Sequence, residues 1–122
     1  MRKYQLGAVE SRFAKIIWRE EPLTSAELVN ICLKELNWKK STTYTVLRKL
    51  CQRGIFQNVN SVVTSCISEK EFDRKAGEEL VNERFGGSLP AFIASFTSGK
   101  KLKKKEIEEI KEIISAHEKK RK

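Results

Sequence analysis

Residues 41–67 run Ser41-Thr42-Thr43-Tyr44-Thr45-Val46-Leu47-Arg48-Lys49-Leu50-Cys51-Gln52-Arg53-Gly54 and then Ile55-Phe56-Gln57-Asn58-Val59-Asn60-Ser61-Val62-Val63-Thr64-Ser65-Cys66-Ile67, and the apolar period changes at Gly54. At about 100° per residue, Thr43, Val46, Leu47, Leu50 and Cys51 share one face of a helix. Ser41, Thr45, Arg48, Lys49 and Gln52 share the opposite face, with Thr42 and Tyr44 flanking it. Ser41 is the expected cap of this helix, and Gly54, lacking a Cβ, suits the left-handed residue just past its end. Beyond it, Ile55–Val59 and Val62–Ile67 are β-branched and apolar around Asn60-Ser61, which predicts a hairpin. A two-stranded hairpin is marginal alone and has to lean on helices to be stable.

Those helices lie upstream. Leu6, Val9, Phe13, Ile16 and Ile17 recur at helical spacing, predicting a helix from about 6 to 20 that Pro22 closes and whose core Trp18 edges. Thr24-Ser25-Ala26-Glu27 is a capping box, so a second helix follows through Leu28, Ile31, Cys32 and Leu36 until Asn37-Trp38-Lys39-Lys40 breaks it. Helix, helix, helix, hairpin is the order of a winged helix-turn-helix domain. From Ser68 the helical period returns, with Phe72, Ala76, Leu80 and Val81 in one stripe as far as Phe85. Gly86-Gly87 interrupts it, and Ser88-Leu89-Pro90 restarts a short helix with Leu89, Phe92, Ile93 and Phe96 on one face. After Thr97-Ser98-Gly99, a last helix carries Leu102, Ile107, Ile110, Ile113 and Ile114. The expected fold is mostly α with a small β-hairpin: a winged helix-turn-helix domain over 1–70 and a C-terminal helical dimerisation arm over 71–122.

Composition narrows the function. With 122 residues, 39% apolar and 34% charged, the chain has the size of one small domain plus an arm. No apolar run reaches the roughly 18 residues that a bilayer span needs. The N-terminus carries no signal-peptide core, so a cytoplasmic protein without stable membrane association is expected. Lys plus Arg number 25 against 16 Asp plus Glu, a net charge of +9, which favours polyanionic partners, nucleic acid before an anionic membrane surface. Cys32, Cys51 and Cys66 match neither a zinc site nor a disulfide framework and read as reduced, buried small hydrophobes. His117 lies alone in a charged tail, and Gly86-Gly87 lacks the Lys-Ser/Thr of a phosphate loop. Neither an enzyme, a cofactor nor a metal site is expected.

The outward face of the third helix offers hydroxyl, amide, guanidinium and ammonium groups, and no Asp or Glu occurs from Trp38 to Ser68. Such a face suits the major groove, where Arg grips guanine O6 and N7 while the helix N-terminus attracts phosphate. The candidate DNA-binding residues are Lys39, Lys40, Ser41, Thr42, Tyr44, Thr45, Arg48 and Lys49. The arm carries apolar residues with no evident partner, and a second copy is the simplest one; folding back on the module is the alternative. Phe85, Leu89, Phe92, Ile93, Phe96, Ile107, Ile110 and Ile114 are the candidate dimerisation residues. Lys100, Lys101, Lys103, Lys104 and Lys105 precede Glu106, Glu108, Glu109 and Glu112, which reads as a solvated, ion-paired helix and not as a second nucleic-acid site.

Four stretches in this order resemble the penicillinase and methicillin-resistance repressor family (BlaI/MecI-type), winged-helix regulators of β-lactam resistance. They are Leu6-Gly7-Ala8-Val9-Glu10 with Ile17-Trp18; Leu23-Thr24-Ser25-Ala26-Glu27-Leu28; Ser41 through Leu50 ending in Gly54; and Phe85-Gly86-Gly87-Ser88-Leu89. The resemblance covers nearly the whole chain. It implies a homodimer joined by the C-terminal helices, placing two recognition helices on a palindromic operator and blocking transcription by occupancy. It implies DNA contact by Ser41, Thr42, Tyr44, Thr45 and Arg48. Cleavage in the family's β-lactam branch is triggered by a membrane sensor protease at an Asn-Phe bond, and the matching bond here is Ser95-Phe96, with the Phe kept and the Asn not. The chain also departs from the family at the wing, with no Lys or Arg between Arg53 and Lys70. The copper-responsive relatives carry a Cys-x-Cys cluster near the C-terminus, whereas this chain has no Cys after Cys66. The competing reading is a winged-helix module that binds RNA or a protein partner.

Overall fold

Nine elements make up the chain in a computed structural model that describes residues 2–121: α1 (Ala8–Glu20), β1 (Leu23–Thr24), α2 (Ser25–Leu36), α3 (Lys40–Gln52), β2 (Phe56–Val59), β3 (Val62–Ser65), α4 (Glu69–Phe85), α5 (Leu89–Ser98) and α6 (Lys104–Arg121). They fall into two units, residues 1–80 and 81–122.

In the first unit, Phe13 and Ile17 from α1, Leu28 and Cys32 from α2, Leu50 from α3, and Phe56 and Val63 from the strands are all fully buried. Each element therefore commits its apolar face to one shared core. The helix starts are set locally. Gly7 precedes α1, with Glu10 Oε1 accepting from the Gly7 amide at 3.1 Å. Thr24 and Glu27 exchange amide hydrogen bonds at 2.9 and 3.1 Å, the expected capping box of α2. Asn37 at φ 55 ends α2 in the left-handed region, which Asn tolerates better than most residues. The chain then turns over Trp38, whose ring stacks on Phe13 at 5.3 Å.

Several expectations are corrected here. The cap of α3 is Lys39, not Ser41, because α3 begins directly after the Trp38 anchor and Ser41 already lies inside the helix. The hairpin has the expected Asn60-Ser61 turn, both residues at positive φ (52 and 63), with Val59 opposite Val62. It is nevertheless part of a three-stranded antiparallel sheet in the order β1-β3-β2, since Leu23 and Thr24 pair with Val63 and Val62. A two-residue strand leaves no period to read. Leu102 precedes α6 and does not belong to it. Only Cys32 of the three free cysteines is buried; Cys51 is half-buried and Cys66, just past the end of β3, is exposed.

The first unit also extends past residue 70, the expected boundary. Phe72 is buried, with its ring 5.5 Å from Trp18 and 5.6 Å from Tyr4. Glu79 accepts from the amides of Tyr4 and Lys3 at 2.7 and 2.9 Å, so the N-terminal segment and α4 are joined as far as the first unit runs. Trp18 adds an indole hydrogen bond to the Ile67 carbonyl at 3.0 Å.

The second unit holds the end of α4 with α5 and α6. Gly86 and Gly87, at φ 57 and 83, make the break that ends α4, and Ser88 caps α5 by accepting from the Ala91 amide. Phe92 touches Phe85 at 5.5 Å and Phe96 at 6.1 Å. No residue of α5 or α6 is buried, and Leu89, Ile93, Phe96, Ile107, Ile110, Ile113 and Ile114 are exposed. The ion pairing expected for Lys100–Lys105 is absent among the described residues: the one pair in α6 joins Lys111 to Glu108 at 3.9 Å. No helix of the described residues is long and apolar enough to cross a membrane.

Candidate nucleic-acid interface

Helix α3 is held from within by Thr43, Leu47 and Leu50, which are buried, and that burial fixes which way its other side chains point. Ser41, Thr42, Thr45, Arg48 and Gln52 are exposed, and Lys39 and Lys40 are exposed at its entry. The first turn contains no acidic residue, and no side chain caps it, so the positive end of the helix stays open to an anion. Thr45 donates its hydroxyl to the Ser41 carbonyl at 2.9 Å, which fixes the rotamer of the side chain on the open face.

Tyr44 sits at the edge of this face, half-buried, and its hydroxyl donates to Ser25 Oγ at 3.4 Å. That bond ties α3 to the start of α2. The Lys40 ammonium lies 6.0 Å from the centre of the Tyr44 ring. On one side of Tyr44 a shallow hollow is lined with Leu47, Arg48, Cys51 and Asn58; on the other, a second is lined with Ala26, Val29, Asn30 and Lys40. Asn58, from β2, is thus a neighbour of Arg48 that the sequence reading missed. Only the pairing of the wing with α3 brings it there, and no local pattern announces it.

Seven of the eight candidate residues gather along this surface: Lys39, Lys40, Ser41, Thr42, Tyr44, Thr45 and Arg48. Lys49 does not join them in the same way. Its ammonium lies 3.2 Å from the Glu10 carboxylate of α1. Glu10 is held below the usual carboxylate range, first by the Gly7 amide it accepts from and then by Lys49. Lys49 therefore borders the face with its charge partly answered.

The wing adds hydrogen-bonding groups but no charge. Gln57 donates to Thr64 Oγ1 at 3.1 Å across β2 and β3, and the tip exposes Val59 and Val62 on either side of Asn60-Ser61. Glu21 accepts from the Ser65 amide and hydroxyl at 2.9 and 2.8 Å, fastening the base of β3. Among the described residues no three His, Cys, Asp or Glu side chains gather to hold a metal ion. Cys32 is fully buried, and burial pushes its thiol up to about 11.

The family model described as "Penicillinase repressor" matches residues 6–116. A penicillinase repressor of Bacillus licheniformis is 23% identical over 122 residues, covering 97% of this chain and 95% of that protein. A penicillinase repressor of Staphylococcus aureus is 24% identical over 118 residues, covering 93% and 94%. With the match running through α1, the α2–α3 pair, the wing and the C-terminal helices alike, the chain belongs to the penicillinase repressor family, whose members are transcriptional regulators and not enzymes.

Proposed function

We propose that the chain is a homodimeric, sequence-specific repressor that occupies a palindromic operator with one α3 in the major groove of each half-site. The observation that carries this reading is the exposed α3 face: Ser41, Thr42, Thr45 and Arg48 around Tyr44, with no carboxylate between residues 38 and 68. Arg48 reads guanine through two parallel hydrogen bonds, the hydroxyls of Ser41, Thr42 and Tyr44 meet phosphate, and Lys39, Lys40 and Lys49 add unspecific attraction. Half-sites lie about 34–36 Å apart, or a multiple of that, and occupancy excludes polymerase. Asn58 lies beside Arg48 and offers a hydrogen-bonding group in place of a salt-sensitive contact.

The dimer is supported by the second unit. Leu89, Ile93, Phe96, Ile107, Ile110 and Ile114 are exposed, and Phe85 and Phe92 lie half-buried beside them. Surface of this kind gains roughly 25 cal/mol per Å² when a second copy covers it. The regulated genes are of the β-lactam-resistance kind or related to it, and the site of action is the cytoplasm, where the operator is. Relief comes from a membrane sensor protease acting at Ser95-Phe96. Both residues are exposed and lie inside α5, so cutting there requires the last turns of α5 to unwind first.

Fluorescence anisotropy of the purified chain on duplex from just upstream of its own gene, with scrambled duplex as competitor at two salt concentrations, tests the reading. Binding that survives the competitor, at two protomers per site, supports it. Binding removed equally by the competitor overturns sequence specificity and turns the search to RNA and protein partners.

A further inference from the structure

The strongest charge on the molecule that the repressor reading leaves unused is Lys100, Lys101, Lys103, Lys104 and Lys105, five lysines in six residues with only Leu102 among them. All five are exposed. None has a carboxylate within ion-pair distance among the described residues; the neighbouring Glu106 accepts from the Lys103 amide at 3.3 Å, and Glu108 pairs with Lys111. Lys100 makes one interaction of its own, over the Phe96 ring at 5.4 Å.

Their position is opposite to what a helix by itself favours. Lys103, Lys104 and Lys105 stand at the start of α6, where the dipole is positive and lysine is the wrong sign. Lys119, Lys120 and Arg121 stand at its other end, where the dipole accounts for them. Five ammonium groups on six consecutive residues also repel one another. The fold thus explains one basic cluster and not the other. A row of phosphates answers both costs by neutralising the lysines.

We propose that Lys100–Lys105 is a second binding site, for the phosphate backbone of duplex DNA, independent of base sequence. Duplex DNA presents a phosphate charge about every 1.7 Å along its axis, dense enough to engage several of these lysines together. Glu106, Glu108, Glu109 and Glu112, which follow at once in α6, repel duplex and anionic bilayer alike, so duplex is chosen over a bilayer on the repressor reading and the vesicle arm of the test separates the two. The proposal rests on the repressor reading only for its choice of polyanion.

The test uses the full chain with all five lysines changed to Gln, beside a control with Lys119→Gln, Lys120→Gln and Arg121→Gln. Binding to scrambled duplex is followed over a salt series, together with discrimination between operator and scrambled duplex. The expected result is a salt slope smaller by about 0.9 for each phosphate no longer engaged, with discrimination unchanged and the control slope close to wild type. An unchanged slope in the five-lysine variant overturns the proposal, as does an equal fall in the control, which would mean net charge alone. Loss of binding to phosphatidylglycerol vesicles with the duplex slope intact also overturns it, in favour of a lipid surface. If the wild type binds no duplex at all, both readings fail; if Arg48→Ala abolishes discrimination while the five-lysine variant keeps its slope, only this one does.

Discussion

Replacing Arg48 by Ala isolates base reading from everything else the chain does. Arg48 is exposed, makes no ion pair among the described residues and lies outside the core formed by Thr43, Leu47 and Leu50, so its loss leaves folding stability within about 0.5 kcal/mol. A bidentate Arg–guanine pair is worth about 1–3 kcal/mol of discrimination. The proposed dimer makes it twice, so operator affinity falls by about 2–6 kcal/mol, roughly 30-fold at the least and over 10⁴-fold at the most. Scrambled duplex, which offers only phosphates, loses one charge per protomer and weakens far less. Arg48→Lys sharpens the test: it keeps the charge and discards the planar fork, so it retains scrambled binding while losing most of the operator preference. Anisotropy titrations of the three proteins on operator and scrambled duplex at fixed salt read both quantities. Operator binding by Arg48→Lys equal to wild type, or parallel losses on both duplexes for Arg48→Ala, would refute the assignment of Arg48 as a base reader.

Lys49→Ala, in contrast, weakens operator and scrambled duplex by the same factor and lowers the salt slope by about 0.9 per protomer; a change confined to the operator contradicts its role at phosphate. Phe92→Ala with Phe96→Ala shifts sedimentation toward monomer, at roughly 3 kcal/mol or more for each Phe buried between copies, and operator binding falls with it; an unchanged dimer refutes the arm interface. Acid weakens the fold in a definite direction. Glu10, Glu27, Glu35 and Glu71 are all held below the ordinary 4.5 by amide or arginine partners, so the stability they contribute is present above that value and is lost as pH falls through their lowered ones. Thermal midpoints that stay level from pH 6 to pH 3 would count against these partnerships.

The first three helices and the wing are legible in the sequence because their signals are local. Thr24 and Glu27 cap α2 within four residues, Gly54 sits at φ 78 where α3 ends, and Asn60-Ser61 supplies two positive φ angles for a two-residue turn. The open face of α3 is legible for the same reason, since at about 100° per residue Thr43 and Leu47 fall on one side of the helix and Thr45 and Arg48 on the other. What escapes is whatever depends on a distant partner. The pairing of Leu23 with Val63, the approach of Lys49 to Glu10 and the seat of Asn58 beside Arg48 each join residues from different elements. The unit boundary moves for that reason as well: Glu79 meets the Lys3 and Tyr4 amides across more than seventy positions, beyond the reach of any periodicity. The lysine run fails differently. Its composition suggests local pairing with the following glutamates, yet Glu106 accepts from a backbone amide and Glu108 pairs with Lys111.

The proposed reading places affinity and relief in different parts of the chain. On the proposed reading two joined protomers bind an operator as a unit, because the second engagement is intramolecular. On the proposed reading, therefore, anything that separates the arms lifts repression without touching Ser41, Thr45 or Arg48. The position of Ser95-Phe96 makes this directional. Phe96 is exposed and belongs to the surface proposed to meet a partner copy, and on that reading the bond after Ser95 becomes cleavable only when α5 unwinds. A dimer formed in the proposed way would oppose that unwinding by the free energy of covering Phe96, so cleavage would draw first on dissociated chains. Each cut removes a protomer from the monomer pool, and mass action then empties the operator.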